Sequence, residues 1–117
     1  MELRDLVEAI LLGDLLRARQ WVADAHRERI DWRVLTPPDG ANSRAVIVAA
    51  AVVELLADRA GVAPPAWAAA VGGTEEPLVL DPGLEQMPRS LAFAQHHGPS
   101  PFRRRNLVAL PDFLRVA

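Results

Sequence analysis

Ala45-Val46-Ile47-Val48-Ala49-Ala50-Ala51-Val52-Val53, followed by Glu54-Leu55-Leu56, is the stretch on which the fold turns. A helix drawn through it has no polar face before Glu54, and a helix that is apolar all round is a buried one. Asn42 or Ser43 is placed to cap it, and Gly61 stands just past its end, so the spacing predicts a helix over about 44–60. Its alanines (45, 49, 50 and 51) let neighbouring helices approach closely. The rod is expected to be the hub of the fold, buried within one chain or shared across a homodimer.

Toward the N-terminus, Leu3, Leu6, Val7, Ile10 and Leu11 recur at the i, i+3, i+4, i+7 and i+8 positions of an amphipathic helix. Gly13 is suited to the left-handed turn that closes it, and Asp14 to capping the next helix. That second helix is expected from about Leu15 to Arg29, burying Leu15, Ala18, Val22 and Ala25 and presenting Arg17, Asp24, Arg27 and Glu28 to water. Trp32 and Leu35 are expected to fold back over the helix ends, ahead of a turn at Thr36-Pro37-Pro38-Asp39-Gly40.

Toward the C-terminus the punctuation changes. Of ten prolines only Pro37 and Pro38 precede residue 60, so regular helix is confined to the first half and the second is broken into short elements. A short helix is expected with Pro65 in its first turn. Leu78-Val79-Leu80 reads as an extended stretch outside any real sheet. A fourth helix is expected over Leu84 to Gln95, starting near Glu85 to accommodate Pro88 and placing Met87, Leu91 and Ala94 on one face. Phe102 to Leu107 and Phe113 to Val116 are read as closing segments. The expected architecture is mostly α: a small irregular helical bundle around the central helix, with a proline-rich second half, in a single domain over 1–117.

Composition narrows the chemistry. The 117 residues are 50% hydrophobic and 24% charged, enough for one core without staples. With no cysteine, disulfides, thiolate metal sites and cysteine nucleophiles are excluded. A formal charge of −2 argues against a nucleic-acid module, which is usually basic. The opening Met1-Glu2-Leu3-Arg4-Asp5 lacks the order of a secretion signal, and the run Ala45 to Val53 falls well short of the ~20 residues that span a bilayer, so a cytoplasmic protein is expected.

No catalytic constellation is visible. Ser43, Ser90 and Ser100 lie outside any Gly-x-Ser-x-Gly elbow, and Gly72-Gly73 has no lysine to complete a phosphate loop. Adjacent His96 and His97 lack the i, i+4 spacing of paired metal ligands, and His26 is remote in sequence. Neither a metal nor a cofactor is expected. Glu75 and Glu76 read as a solvated acidic turn. Arg103-Arg104-Arg105 is the one dense charge run: either a basic patch for a partner, or arginines held internally by Glu75, Glu76, Asp81 or Glu85. The first two helices, joined at Gly13, also admit a helix-turn-helix reading, although the second would carry Asp24 and Glu28 beside its arginines. Trp67 is expected in the core, while Phe102 is open between core and interface anchor.

Val53-Glu54-Leu55-Leu56-Ala57-Asp58-Arg59-Ala60-Gly61, then Pro64-Pro65-Ala66-Trp67, then Glu76-Pro77-Leu78-Val79-Leu80 and finally Gly98-Pro99-Ser100-Pro101-Phe102-Arg103-Arg104-Arg105-Asn106-Leu107-Val108 follow one another in order. Together they resemble the C-terminal helical domain of actinobacterial helix-turn-helix antitoxin-like proteins, in which a Pro-x-Trp and a Ser-Pro…Phe-Arg-x-Arg recur. That resemblance covers about 44–117, and the opening at Leu11 to Ala25 extends it to stand-alone small proteins of the same type. The longer relatives carry a DNA-binding domain ahead of this one, for which 117 residues leave no room, and the Ser100-Pro101 to Phe102 spacing is shorter than theirs. The resemblance therefore implies docking onto a partner protein, a nucleotidyltransferase-like toxin, rather than DNA binding. On this reading the chain is a non-enzymatic interaction domain with Phe102, Arg103 and Arg104 on its partner surface. The alternative is a DNA-associated transcriptional regulator using the first two helices.

Overall fold

The computed structural model describes residues 2–39 and 42–115. Its axis is α3, Ser43–Ala60, in which every residue from Val48 to Ala57 is buried. The Asn42 side chain accepts from the Ala45 amide at 2.8 Å, and Gly61 ends the helix in the left-handed region. Both signals act locally, which is why the expected bounds agree with the structure. The burial is achieved within one chain, so the apolar surface of the hub needs no second copy to cover it.

The N-terminal pair packs on this axis. Helix α1, Leu3–Leu11, buries Leu3, Leu6, Val7, Ala9 and Ile10, whereas Leu11, expected on the same stripe, is 37% exposed at its end. Gly13 takes a positive φ of 75°, a turn that a side chain would strain, and the Asp14 carboxylate then accepts from the Arg17 amide at 3.1 Å to start α2, Leu15–Glu28. Arg29, expected as the last helical residue, is instead a left-handed cap. Trp21, absent from the expected core face of this helix, is buried, and its Nε1–H donates to the Glu2 carbonyl at 3.1 Å. Trp32 folds back beside it, their ring centroids 6.2 Å apart, on a 3₁₀ turn over Trp32–Val34. The turn expected over Thr36 to Gly40 is described only as far as Asp39; Gly40 lies outside the described residues.

The second half is assembled from fragments: α4 (Ala66–Ala69), β1 (Leu78–Val79), a 3₁₀ turn (Leu84–Gln86), α5 (Pro88–His97), α6 (Ser100–Arg103) and β2 (Leu107–Val108). Two expectations are corrected here. Leu78-Val79 is a strand after all, pairing in parallel with Leu107-Val108, and the Leu78 and Leu80 amides extend the ladder to the carbonyls of Asn106 and Val108. The helix expected over Leu84 to Gln95 is split. Pro88 has no amide hydrogen to donate and stands at the first position of α5, so the preceding residues tighten into the 3₁₀ turn and Met87 is left exposed. The last closing segment is described to Arg115, and Val116 lies outside the described residues.

One apolar cluster joins Leu6, Val22 and Trp32 of the first half to α3 and to Ala68, Phe102, Leu107, Phe113 and Leu114 of the second. The molecule is mostly α, as expected. Among the described residues no helix is long and apolar enough to cross a membrane.

Candidate functional site

The arginine run is divided by the fold. Pro99 and Pro101 set the backbone into the single turn of α6, and successive side chains on that turn point in different directions. Phe102 is fully buried, edge-on to Phe113 with ring centroids 5.5 Å apart. It is a core residue, so its expected place on a partner surface is corrected. Arg105 is also buried, at 4% exposure, while Arg103 and Arg104 between them are exposed.

Arg105 is a cross-tie. Its Nη1 bonds the Glu54 carboxylate of α3 and the Pro101 carbonyl at 3.0 Å, and its Nη2 donates to the Ala68 carbonyl of α4 at 2.8 Å. Its backbone carbonyl accepts from the Thr74 amide at 3.0 Å. A Cβ on Gly73 would stand 2.6 Å from the Arg105 Cα, so only glycine allows the two backbones to approach this closely. Glu54 is itself 8% exposed, and a carboxylate taken out of water requires such a partner. The internal reading of the run thus holds for one arginine, but the acid is Glu54 rather than Glu75, Glu76, Asp81 or Glu85. Asp81 serves elsewhere, accepting from the Leu110 amide at 2.7 Å. It is half-buried, and that burial raises its carboxyl above the ordinary aspartate value despite the hydrogen bond.

Arg103 and Arg104 open onto different grooves. The Arg104 guanidinium, 61% exposed, reaches Glu54 Oε1 at 3.2 Å. It rims a cleft of about 360 Å³ with Asp58, Val62, Pro64, Ser100 and Pro101. Arg103 donates from Nε to the Gly98 carbonyl at 2.8 Å and borders a smaller cleft of about 210 Å³ with Pro77, Gln95 and Asn106. Sequence reasoning missed Glu54 and Asp58 here. The signal was present in Glu54, the first carboxylate to interrupt the apolar run of α3, which can be buried only if a cation comes to it.

The remaining candidates lie apart from this ridge. His26 packs edge-on to Trp32, and His97 lies against Phe93 with centroids 4.7 Å apart. Trp67, expected in the core, is half-buried and donates to the Leu35 carbonyl at 2.7 Å. On α2, Arg17 pairs with Glu8 at 3.5 Å and Arg27 with Asp24, both arginines at exposed positions.

Comparison with models of known protein families, with curated proteins and with solved structures returned no match to this chain.

Proposed function

We propose that the protein is a non-enzymatic interaction domain that docks onto an acidic surface of a partner protein through Arg103 and Arg104. One observation carries this reading: two exposed guanidiniums stand between two anchored neighbours, Phe102 and Arg105, on a turn pinned to the hub helix. Arginines already held in place lose little freedom on binding, and arginine is enriched at interface centres because its planar fork matches carboxylates. The contacts to Glu54 and to the Gly98 carbonyl supply that order here. The resemblance to antitoxin-like domains supports the same class of role in the cytoplasm, with a nucleotidyltransferase-like toxin as the implied partner.

The test is co-expression with the product of the reading frame adjoining its gene, followed by size-exclusion chromatography. Co-elution that is lost with the Arg103→Glu/Arg104→Glu pair, while the circular dichroism spectrum is unchanged, is the expected result. Failure to form a complex, or a complex indifferent to both substitutions, overturns it. The alternative, a DNA-associated regulator using α1 and α2, requires duplex binding that weakens steeply with salt.

A further inference from the structure

The C-terminal turns of α2 and α3 lie beside the closing segment, and a groove of about 350 Å³ opens where the three meet. Val22, Leu56 and Leu114 form its apolar floor, and His26, Arg59 and Arg115 its rim. Among the described residues no carboxylate lines it, although the chain as a whole carries a net charge of −2. Arg59 is held in position by donating from Nη1 to the Phe113 carbonyl at 2.7 Å and from Nη2 to the Pro111 carbonyl at 3.1 Å. Neither Arg59 nor Arg115 has a carboxylate within ion-pair distance among the described residues.

Two further features belong to the same place. Partial burial holds the Arg59 guanidinium below its ordinary range, and the nearby positive charge of Arg115 lowers it further, against the opposing pull of Asp112 and Asp58. Half-buried Arg59 and exposed Arg115 thus line the same groove as like charges. Leu114 adopts a left-handed φ of 59°, which an L-leucine takes up only against steric resistance. That conformation sets the Leu114 side chain into the floor while Arg115 stays exposed. Backbone strain that orients two groups of one concavity is a recurrent mark of a ligand site.

We propose that this groove binds an aliphatic carboxylate, its head between Arg59 and Arg115 and its hydrocarbon over Val22, Leu56 and Leu114. The volume is at the small end of ligand sites, which run from about 300 to 1,000 Å³, and suits a short chain. The same chemistry is offered by a free medium-chain acid and by the C-terminal leucine of a peptide. This site is separate from the Arg103–Arg104 ridge and does not rest on the function proposed for that ridge.

The intact protein, ¹⁵N-labelled, is titrated with octanoate and with N-acetyl-leucine, using octanol and N-acetyl-leucinamide as neutral controls. The backbone amides of Leu56, Arg59, Leu114 and Arg115 are followed by NMR. Saturable shifts with at least one of the acids, about tenfold tighter than with its neutral counterpart, are expected. Arg115→Gln, at an exposed position, is expected to weaken binding by about fivefold or more, while the distant Arg44→Gln leaves it unchanged. Tighter binding of octanoate assigns the site to a free acid, and tighter binding of N-acetyl-leucine to a peptide terminus. The proposal is overturned if neither acid shifts these amides, if the neutral controls bind equally well, or if Arg115→Gln binds like the parent protein.

Discussion

Glu54 and Arg105 show how much a single pair of residues contributes to this molecule. Both are buried, and Arg105 simultaneously satisfies carbonyls of Pro101 and Ala68, so the pair ties the hub helix to the next fragment, α4, and to the distant α6. Removing Glu54 leaves the Arg105 guanidinium buried without a counter-charge, a loss of about 3–5 kcal/mol. Glu54→Ala is expected to destabilise the protein by that amount in chemical denaturation. The Glu54→Leu/Arg105→Met double variant is expected to lose less than the sum of the two single ones. At Asp81 the effect has the opposite sign. Its carboxyl is raised by burial, so the folded state binds this proton more readily than the unfolded chain does. The charged form therefore weakens the fold above the folded-state value, and the weakening disappears as pH falls through it. Asp81→Asn retains an acceptor for the Leu110 amide and is expected to be at least as stable as the parent at pH 7. The difference should shrink toward acid pH, as urea denaturation at a series of pH values would record.

At the scale of the element, α3 is constrained on all sides. Ala49, Ala50 and Ala51 are fully buried, and close helix packing leaves no room there for a longer side chain. Ala50→Leu is expected to cost about 1–3 kcal/mol by overpacking, measured as a lower denaturation midpoint at unchanged m-value. Arg104→Ala, which removes an exposed guanidinium while Glu54 keeps Arg105, should cost no more than about 1 kcal/mol. The contrast separates residues that hold the element together from those it displays. Sequence patterning read α3 well because its signals (capping asparagine, unbroken apolar run, terminating glycine) all lie within or beside the element. It read the region around Pro88 less well. Proline excludes helix before it, but whether the preceding residues unwind or tighten depends on what they pack against, and Leu84 is drawn into a small cluster with Ala94 and Val108.

At the scale of the whole molecule, the two halves share one apolar cluster and are tied together at several points. Trp67 in the second half donates to the Leu35 carbonyl of the first, and Phe102, Phe113 and Leu114 pack into the same core as Leu6 and Val22. Unfolding is therefore expected to be a single cooperative transition. Single-tryptophan variants retaining Trp32 or Trp67 should show the same midpoint in fluorescence as the far-ultraviolet dichroism. Separate midpoints would mean that the proline-rich half melts on its own.

From the sequence alone followed what depends on neighbours within a few places along the chain: the helices of the first half, their caps, the buried hub and the mostly helical class. Such features arise from hydrogen bonds three and four residues apart and from the periodic placement of apolar side chains. The tertiary structure decided which arginine of the run is interior, which acid it meets, that Phe102 belongs to the core, and that Leu78-Val79 finds a parallel partner in Leu107-Val108. Glu54 on α3 and Arg105 in the turn after α6 lie 51 residues apart, and Asp81 after β1 and Leu110 after β2 lie 29 apart, so their pairing exists only once the chain has closed. The grooves beside Arg104 and Arg59 are likewise products of packing. A concavity belongs to several elements at once, and no one of them carries its shape.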